Sequence, residues 1–172
     1  MTHTEALALI RGGAAQPGGV WADLGAGSGT FTRALAELLG PAGTVHAVDK
    51  GTVPRPEEST ATSARIIPLR ADFSSPLPLS DLDGILMANS LHFVPHQREV
   101  LQQLLSSLRP GGAFLLVEYD QARGNPWVPH PLTPARFAEL GADIGLSQPR
   151  EIGRRPSRYG NGEIYAVVAV KR

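Results

Sequence analysis

Residues 20–30 read VWADLGAGSGT, and this segment indicates the class of fold. Its apolar first part, Val20 to Leu24, predicts a short buried strand. Three alternating glycines follow, and glycines permit a tight turn and a close approach of a ligand to the backbone. Apolar residues then recur at helical spacing from Phe31 to Leu39, and Gly40 with Pro41 ends that pattern. The stretch therefore predicts a strand, a glycine loop and a helix.

The rest of the chain alternates predicted helices with predicted strands. We expect a short helix at Glu5 to Arg11 before the glycine loop. After the loop we expect strands at Thr44 to Val48, Arg65 to Ala71, Gly84 to Ala88 and Ala113 to Glu118. Pro95 is placed to open a helix that ends before Arg109, and Thr133 is placed to cap a helix from Pro134 to Ile144. Alternation of this kind predicts an α/β fold with an open, mainly parallel sheet.

Two segments depart from the simple alternation. Pro54 and Pro56 leave only Glu57 to Ser63 for a helix of under two turns before the third strand. Pro68 cannot donate to a ladder, so that third strand is expected at a sheet edge. Near the C-terminus, Arg150 to Gly153 and Ile164 to Val170 are β-prone runs joined by a turn-rich segment, which predicts an antiparallel hairpin.

Length and composition limit the classes of function. The 172 residues predict one domain, 1–172, with a short helix at 5–11 and a core at 20–172. The 16 Lys and Arg balance the 16 Asp and Glu, so no global charge draws the chain to nucleic acid or anionic lipid. The absence of cysteine excludes a thiolate metal site and a cysteine nucleophile. No segment matches a signal peptide or a membrane span, so we expect a cytoplasmic protein without a membrane partner.

The residues at the strand ends indicate a ligand that contains ribose and carries positive charge. Asp23, just before the glycines, places negative charge where a diphosphate would be repelled. Position 30 is Thr, so the third glycine of the dinucleotide-binding pattern is missing. Asp49 ends the second strand, at the distance from the glycine loop where a carboxylate accepts hydrogen bonds from ribose hydroxyls.

Five motifs in register make the chain resemble the class I S-adenosylmethionine-dependent methyltransferases. From Val20 onward they read VWADLGAGSGT, VHAVDK, ADF, GILMANSLHF and LRPGG. The resemblance implies a Rossmann-like three-layer sandwich, with a seven-stranded, mostly parallel sheet that includes a C-terminal antiparallel hairpin. It also implies S-adenosyl-L-methionine as the cofactor and a methyltransferase activity.

The resemblance implies a role for each matching residue. The backbone of Gly25, Ala26, Gly27 and Gly29 would meet the methionine and ribose portions of the cofactor, with Asp23 near the methionine ammonium and Asp49 on the ribose. Lys50 and Phe73 would lie beside the adenine, Asp72 would accept from its amino group, and Asn89 would hold the methionine end. The alternatives are a βα turn without a ligand for the glycines, a strand end for Asp49 and a turn former for Asp72.

His92 is the candidate catalytic residue, because it follows the fourth strand where the methyl acceptor would sit. A histidine titrates near pH 6.5, about the range that suits a general base. The alternative is a structural histidine in a loop. His96 lies four residues on, but Pro95 breaks any common helix, so no metal site is expected.

Other candidates concern the acceptor. Tyr119, Trp127 and His130 follow the fifth strand, where the family often builds its acceptor pocket, although a packed surface loop is the alternative. The hairpin carries a basic cluster of Arg150, Arg154, Arg155, Arg158 and Tyr159, which we interpret as a solvated turn rather than a site for an anionic substrate or RNA.

The reading that the sequence favours is a methyltransferase with a small-molecule acceptor. A protein acceptor is the second choice, and nucleic acid is disfavoured because the fourth strand ends in ANSL rather than in an Asn/Asp-Pro-Pro-aromatic tetrapeptide. A non-catalytic S-adenosylmethionine-binding partner or regulatory subunit is the alternative from another class. An NAD-linked reductase is a third, disfavoured by the missing glycine and by the absence of a Tyr-x-x-x-Lys pair.

Overall fold

The structure, a computed structural model, describes residues 1–14, 16–54, 60–158 and 162–172. Four helices are described: α1 His3–Ile10, α2 Thr30–Leu39, α3 Gln97–Ser107 and α4 Pro134–Ile144. A 3-10 helix spans Leu91–Phe93. The strands, in chain order, are β1 Gly19–Leu24, β2 Gly43–Asp49, β3 Arg65–Arg70, β4 Leu82–Ala88, β5 Leu108–Asp120, β6 Arg150–Pro156 and β7 Glu163–Val170.

The described strands form one seven-stranded sheet in the order β3-β2-β1-β4-β5-β7-β6. Strands β1 to β5 pair in parallel, while β7 lies antiparallel to both β5 and β6. The predicted mostly parallel sheet and its antiparallel C-terminal hairpin are therefore confirmed. Strand β3 lies at the edge that Pro68 required, where a residue without an N–H is tolerated.

Helices cover both faces of the sheet, which gives the three predicted layers. Alternation along β5 places Phe114 and Leu116 on the face covered by α3 and α4, with Leu101, Leu104 and Phe137 packed in the same cluster. Leu115 and Val117 point to the opposite face, in the cluster that contains the buried residues of α1 and α2. Because both faces are buried, the central strands are mostly apolar, with Asp23 and Glu118 as buried exceptions near their carboxyl ends.

Capping hydrogen bonds set the first residues of two helices, α4 and α1. Thr133 accepts a hydrogen bond from the backbone N–H of Arg136, and α4 begins at Pro134, as predicted. Helix α1 begins at His3 rather than at the predicted Glu5, because Thr2 and Glu5 form a reciprocal capping box that satisfies the first backbone N–H groups.

Other predicted boundaries were wrong. Pro95 does not open α3, which begins at Gln97 with His96 as its cap, because the 3-10 helix comes between β4 and α3. Strand β4 begins at Leu82 rather than Gly84, and β5 begins at Leu108 rather than Ala113, because Leu82 and Leu108 pair with each other.

The two turn-rich connections are only partly described. Of the predicted helix at Glu57 to Ser63, residues 57–59 lie outside the described residues. Thr60 to Ser63 form a turn rather than a helix, closed by a 3.2 Å bond from the Ser63 N–H to the Thr60 carbonyl. Strand β6 runs on to Pro156, beyond the predicted end at Gly153, and residues 159–161 of the following turn are not described.

Within the described ranges, no helix has the length and apolar character needed to cross a membrane. The cytoplasmic location stays a prediction. The strand order reverses between β1 and β4, and in open parallel sheets ligands bind outside the carboxyl ends of the strands at this point.

Candidate active site

The loop that leaves β1 is fixed by hydrogen bonds to its neighbours. The backbone N–H groups of Gly25 and Ala26 both donate to the carbonyl of Val48, at 2.8 and 3.0 Å. The hydroxyl of Ser90 donates to the carbonyl of Leu24 at 2.7 Å. These contacts tie the loop to β2 and to the end of β4, so its shape is built by the protein itself.

Two glycines of this loop serve different purposes. At Gly25, φ is +83° and a Cβ would lie 2.4 Å from the Cβ of Ser90, so packing within the protein excludes a side chain. At Gly27, φ is +52° and a Cβ would have no described atom within 4 Å. The backbone at Gly27 therefore faces open space, as expected where a ligand approaches closely.

Two neighbouring cavities lie at the carboxyl ends of the strands. The first, here the glycine-loop cavity, measures about 250 Å³ and is lined by Met1, Asp23, Gly25, Ala26, Gly27, Ser28, Thr30, Phe31 and Ala88. The second, here the arginine cavity, measures about 120 Å³ and is lined by Met1, Asn89, Tyr119, Arg155, Pro156, Arg158 and Ile164. They share Met1, and Ala88 in one is followed directly by Asn89 in the other.

Asp23 is a buried carboxylic acid at the end of β1. Its Oδ2 accepts a 2.6 Å hydrogen bond from the hydroxyl of Thr32, while its buried Oδ1 has no partner among the described residues. Burial raises the pKa of Asp23 to about 7; the Thr32 bond opposes this rise, and the charge of Asp49 adds to it. A cationic group next to Oδ1 would stabilise the ionised form.

Asp49 organises the turn at the end of β2. Its Oδ2 accepts from the backbone N–H of Gly27 at 3.0 Å, and its Oδ1 accepts from the N–H of Gly51 at 2.7 Å. A carboxylate oxygen can accept more than one hydrogen bond. Asp49 is not among the described residues that line the glycine-loop cavity, but it holds Gly27, which is, and it keeps lone pairs that can accept from ribose hydroxyls. Its role toward the ribose stays a prediction.

The predicted adenine residues are only partly brought to the loop. The ring of Phe73 lies 3.5 Å from the position of a Cβ on Gly25. Asp72 accepts from the N–H of Ser74 at 2.9 Å, a bond that lowers the pKa of Asp72, and its carboxylate lies 4.0 Å from the ammonium of Lys50. The described residues that line the glycine-loop cavity do not include Asp72 or Lys50. Their roles toward adenine stay predictions.

Asn89 lines the arginine cavity and has a left-handed backbone conformation, with φ of +53°. Its N–H donates to the carbonyl of Val117 at 2.8 Å, which fixes the residue beyond the end of β4. Its side-chain Oδ1 is buried and has no partner in the described part of the chain.

His92 is buried and held by Glu118. Its Nδ1 lies 2.6 Å from one carboxylate oxygen, and its backbone N–H donates to the other at 3.1 Å. Its ring packs on Phe93 and Tyr119 and is not part of the described lining of either cavity. The base role of His92 stays a prediction. Sequence reasoning missed Glu118, although a carboxylate inside an apolar strand is a signal that a buried partner is needed.

The predicted acceptor residues separate in the structure. Tyr119 lines the arginine cavity. Trp127 is 78% exposed, and exposed His130 donates its backbone N–H to the carbonyl of His92 at 3.0 Å. Neither of these two lines the described part of the cavities, so only Tyr119 is brought to the site.

The basic cluster of the hairpin divides into parts. Arg154 pairs with Asp120, Glu151 and Glu163. Arg155 and Arg158 both donate to Oε1 of Glu5 at 2.8 Å, and both line the arginine cavity. Hydrogen bonds from Arg155 and from the backbone of Thr2 hold the pKa of Glu5 well below its usual range.

The remaining members of that cluster do not join the cavity wall. Arg150 donates to the carbonyl of Gly12 at 3.1 Å, and Tyr159 lies outside the described residues. The interpretation of the whole basic cluster as a solvated turn is therefore incomplete, because Arg155 and Arg158 line the arginine cavity.

Comparison with known proteins agrees with this geometry. A family model described as a methyltransferase domain matches residues 22–116, more than half of the chain. The ubiquinone/menaquinone biosynthesis C-methyltransferase UbiE of Ectopseudomonas mendocina is 29% identical over 118 residues, which cover 64% of this chain and 45% of that protein. UbiE of Bordetella avium is 30% identical over 124 residues, which cover 70% of this chain and 46% of that protein. The chain thus spans less than half the length of these relatives.

Solved structures share the fold. The 1,6-didemethyltoxoflavin-N1-methyltransferase of Burkholderia thailandensis, with bound 1,6-didemethyltoxoflavin and S-adenosylhomocysteine, matches with a TM-score of 0.76 and 21% identity, over 98% of this chain and 77% of that one. The magnesium protoporphyrin IX methyltransferase ChlM of Synechocystis PCC 6803, with bound S-adenosylmethionine, has a TM-score of 0.70 and 17% identity, over 99% and 78%. Together with the family match, these findings establish that the chain belongs to the class I S-adenosylmethionine-dependent methyltransferase family.

Proposed function

We propose that this protein transfers the methyl group of S-adenosylmethionine to a small-molecule acceptor. The observation that carries the proposal is the pair of buried, unpartnered acceptor atoms, Asp23 Oδ1 and Asn89 Oδ1, which belong to residues lining two adjoining cavities. Buried polar atoms almost always have partners, so two orphaned acceptors at the ends of adjacent strands call for a ligand.

The residues present fit the cofactor. Asp23 Oδ1 offers an acceptor to the methionine ammonium, Asp49 offers its remaining lone pairs to the ribose hydroxyls, and the open backbone at Gly27 gives room for close approach. When bound, the cofactor supplies a methyl group activated by a sulfonium, and the protein supplies binding and orientation. The chemistry of these residues supports the roles that the resemblance of the motifs implies for them.

The adjoining arginine cavity is suited to hold the acceptor. Methyl transfer needs an acceptor lone pair within about 3.5 Å of the methyl carbon, and positioning of this kind is a large part of catalysis. Asn89 and Tyr119 can orient a molecule in that cavity, because both line it beside the end of β4. Its volume, about 120 Å³, favours a compact acceptor over a protein segment.

Ligand-dependent melting tests the proposal. A ligand that binds only the folded state at 100 times its dissociation constant adds about 2.7 kcal/mol of stability. For a chain of this size that corresponds to a rise in Tm of roughly 5 to 10 °C. We expect S-adenosylhomocysteine to give such a rise and NAD to give none. A larger rise with NAD would overturn the proposal in favour of a dinucleotide enzyme.

Transfer itself is tested with the labelled cofactor and a metabolite extract. We expect label in the small-molecule fraction, dependent on the protein and lost in Gly27→Ala. Label recovered only in the protein fraction would favour a protein acceptor. Tight cofactor binding with no labelled product in any fraction would favour the non-catalytic binding partner instead.

A further inference from the structure

We propose that the methyl acceptor is a small carboxylate whose anionic group is bound by Arg155 and Arg158 in the arginine cavity. This inference rests on the proposed function, because it names the acceptor class of the same site.

Two guanidinium groups on one wall of the arginine cavity share a single carboxylate oxygen. Arg155 and Arg158 each donate from Nη2 to Oε1 of Glu5 at 2.8 Å, and the other oxygen of Glu5 accepts from the backbone N–H of Thr2 at 2.7 Å. In the described ranges, Glu5 is the only carboxylate within ion-pair distance of either arginine. Two cations therefore face one anion, which leaves one positive charge in excess.

The neighbouring Arg154 shows that this excess is local. Arg154 is surrounded by the carboxylates of Asp120, Glu151 and Glu163, so its own charge is more than balanced. The described residues that line the arginine cavity include Arg155 and Arg158 but not Arg154. The unbalanced positive charge of the hairpin thus faces the cavity that adjoins the cofactor residues, where it attracts an anion.

The chemistry of the wall selects a carboxylate. Each guanidinium carries five N–H donors in a planar fork that matches the two oxygens of a carboxylate, and the described bonds to Glu5 use one donor from each arginine. Charge-assisted pairs of this kind are among the stronger hydrogen bonds in proteins. An acceptor carboxylate can bind both arginines without removing Glu5 from them.

The other walls limit the size and shape of the acceptor. Tyr119 and Ile164 provide an aromatic and an apolar surface. The cavity measures about 120 Å³, below the roughly 150 Å³ that encloses a benzene molecule, but its wall is open to solvent at Arg158, whose side chain is 55% exposed, so a single ring fits when its edge extends past the opening. The unpartnered Oδ1 of Asn89 calls for an N–H or O–H on the acceptor. A compact aromatic carboxylate with one such donor satisfies all of these groups.

Calorimetric titration of benzoate and benzamide tests the inference, because the two have nearly the same shape and only benzoate is charged. Benzamide also brings an N–H donor for Asn89, so this difference works against the expected order of affinities. Both probes are titrated into the full chain saturated with S-adenosylhomocysteine. We expect benzoate to bind about ten- to a hundredfold more tightly than benzamide, the effect of one charge-assisted hydrogen-bond pair. Arg155→Met and Arg158→Met should each reduce benzoate affinity by a similar factor and leave benzamide affinity unchanged.

Two further variants sharpen the test. Arg98→Met removes a guanidinium that pairs with Asp143 on the helices, away from the cavity, and should leave both affinities unchanged. Glu5→Gln removes the competing anion while glutamine can still serve in the capping box of α1, so benzoate should bind more tightly. Because Arg158 lies on the exposed side of the wall, Arg158→Met is expected to fold even if Arg155→Met does not.

The outcomes separate this inference from the proposed function. Equal affinity for benzoate and benzamide, or benzoate binding that survives both arginine substitutions, would overturn the carboxylate inference while S-adenosylhomocysteine binding still supports a methyltransferase. Absence of S-adenosylhomocysteine binding would overturn the proposed function itself. An equal loss in Arg98→Met would show that benzoate responds to net charge rather than to this cavity, and would also overturn the inference.

Discussion

Glu118 holds His92 at two points, through the imidazole Nδ1 at 2.6 Å and through the backbone N–H at 3.1 Å. Both side chains are almost fully buried. The contact fastens the 3-10 helix, which begins two residues after Asn89, to the end of β5, which contains Tyr119; Asn89 and Tyr119 both line the arginine cavity. The shape of the cavity therefore depends on a pair that does not line it.

Removal of Glu118 is expected to destabilise the protein strongly. Glu118→Ala leaves the backbone N–H and the Nδ1 of His92 buried without their acceptor, and each buried polar group left unpaired costs about 1–3 kcal/mol. The exposed pair of His3 and Glu37 is the matched control, because Glu37→Ala should cost about 1 kcal/mol or less. Urea unfolding measures both. Equal losses in the two variants would show that the Glu118 contact is not a major source of stability.

The predicted base role of His92 has a separate test. A general base contributes about 10²- to 10⁴-fold to a rate, so His92→Ala should lower turnover per folded molecule by that factor if the role holds. Cofactor affinity should be nearly unchanged, since His92 is not part of the described lining of the glycine-loop cavity. Turnover within about threefold of wild type would leave His92 a purely positioning residue.

Asp23 makes stability depend on pH. Its pKa is about 7 in the folded protein, against an ordinary value of 3.8. Between these two values the folded state binds one more proton than the unfolded state, so the free energy of unfolding falls as the pH rises through this window. The slope from one group is at most about 1.4 kcal/mol per pH unit.

The matched variant is Asp23→Asn, which keeps an acceptor for Thr32 but cannot ionise. We expect urea unfolding at pH 5 and pH 8 to show a smaller loss for the variant than for wild type, and higher stability of the variant at pH 8. Parallel losses in the two proteins would assign the pH dependence to other groups. Because an ammonium favours ionised Asp23, cofactor binding below pH 7 should also release a proton, which calorimetry in buffers of different ionisation enthalpy detects.

Gly27→Ala is expected to fold but to bind the cofactor poorly. Its methyl group would project into open space, so the cost to folding is the left-handed backbone, about 1–2 kcal/mol. Gly145→Ala is the control, because Gly145 has a left-handed backbone and no described atom near its Cβ position, but ends α4 and is not among the residues that line either cavity. Titration with S-adenosylhomocysteine should show weaker binding to Gly27→Ala than to the control variant. Equal affinities would mean that no ligand approaches Gly27.

Asp49→Asn should weaken binding of S-adenosylhomocysteine about ten- to a hundredfold, the loss of a charged acceptor for a ribose hydroxyl. Asn replaces one of the two oxygens that accept from Gly27 and Gly51 with an NH2 group, which cannot accept from an N–H, so the variant should also lose about 1–3 kcal/mol of stability. Asp143→Asn removes a carboxylate from the exposed pair with Arg98 and serves as the control. An unchanged Kd in folded Asp49→Asn would reduce Asp49 to a support of the turn.

The features that the sequence predicted are those that local chemistry dictates. The glycine loop after Leu24 needs positive φ at alternate positions, and Pro68 requires an edge strand, so both could be placed without knowledge of the rest of the chain. The site features that it missed arise from distant contacts. Arg155 donates a hydrogen bond to Glu5, which lies 150 positions earlier in the chain. A pair so far apart produces no periodic pattern in the sequence from which it could be predicted.

The boundary errors have the same origin. The extended start of β5 is set by Lys171, which accepts from the N–H of Gly111 and donates to the carbonyl of Gly112. Local sequence at Pro110 to Gly112 indicates a helix stop and a turn, but pairing with the C-terminus draws the segment into the sheet. Strand limits of this kind follow tertiary partners rather than intrinsic preference.

Both outer strands of the sheet are poor templates for a further strand. Strand β3 carries Pro68, which offers no N–H, and β6 has a register shift between Glu151 and Gly153 and ends at Pro156. Interruptions of this kind protect natural sheets from edge-to-edge aggregation. Each edge of the sheet therefore carries a local feature that disfavours the addition of a strand from a second molecule.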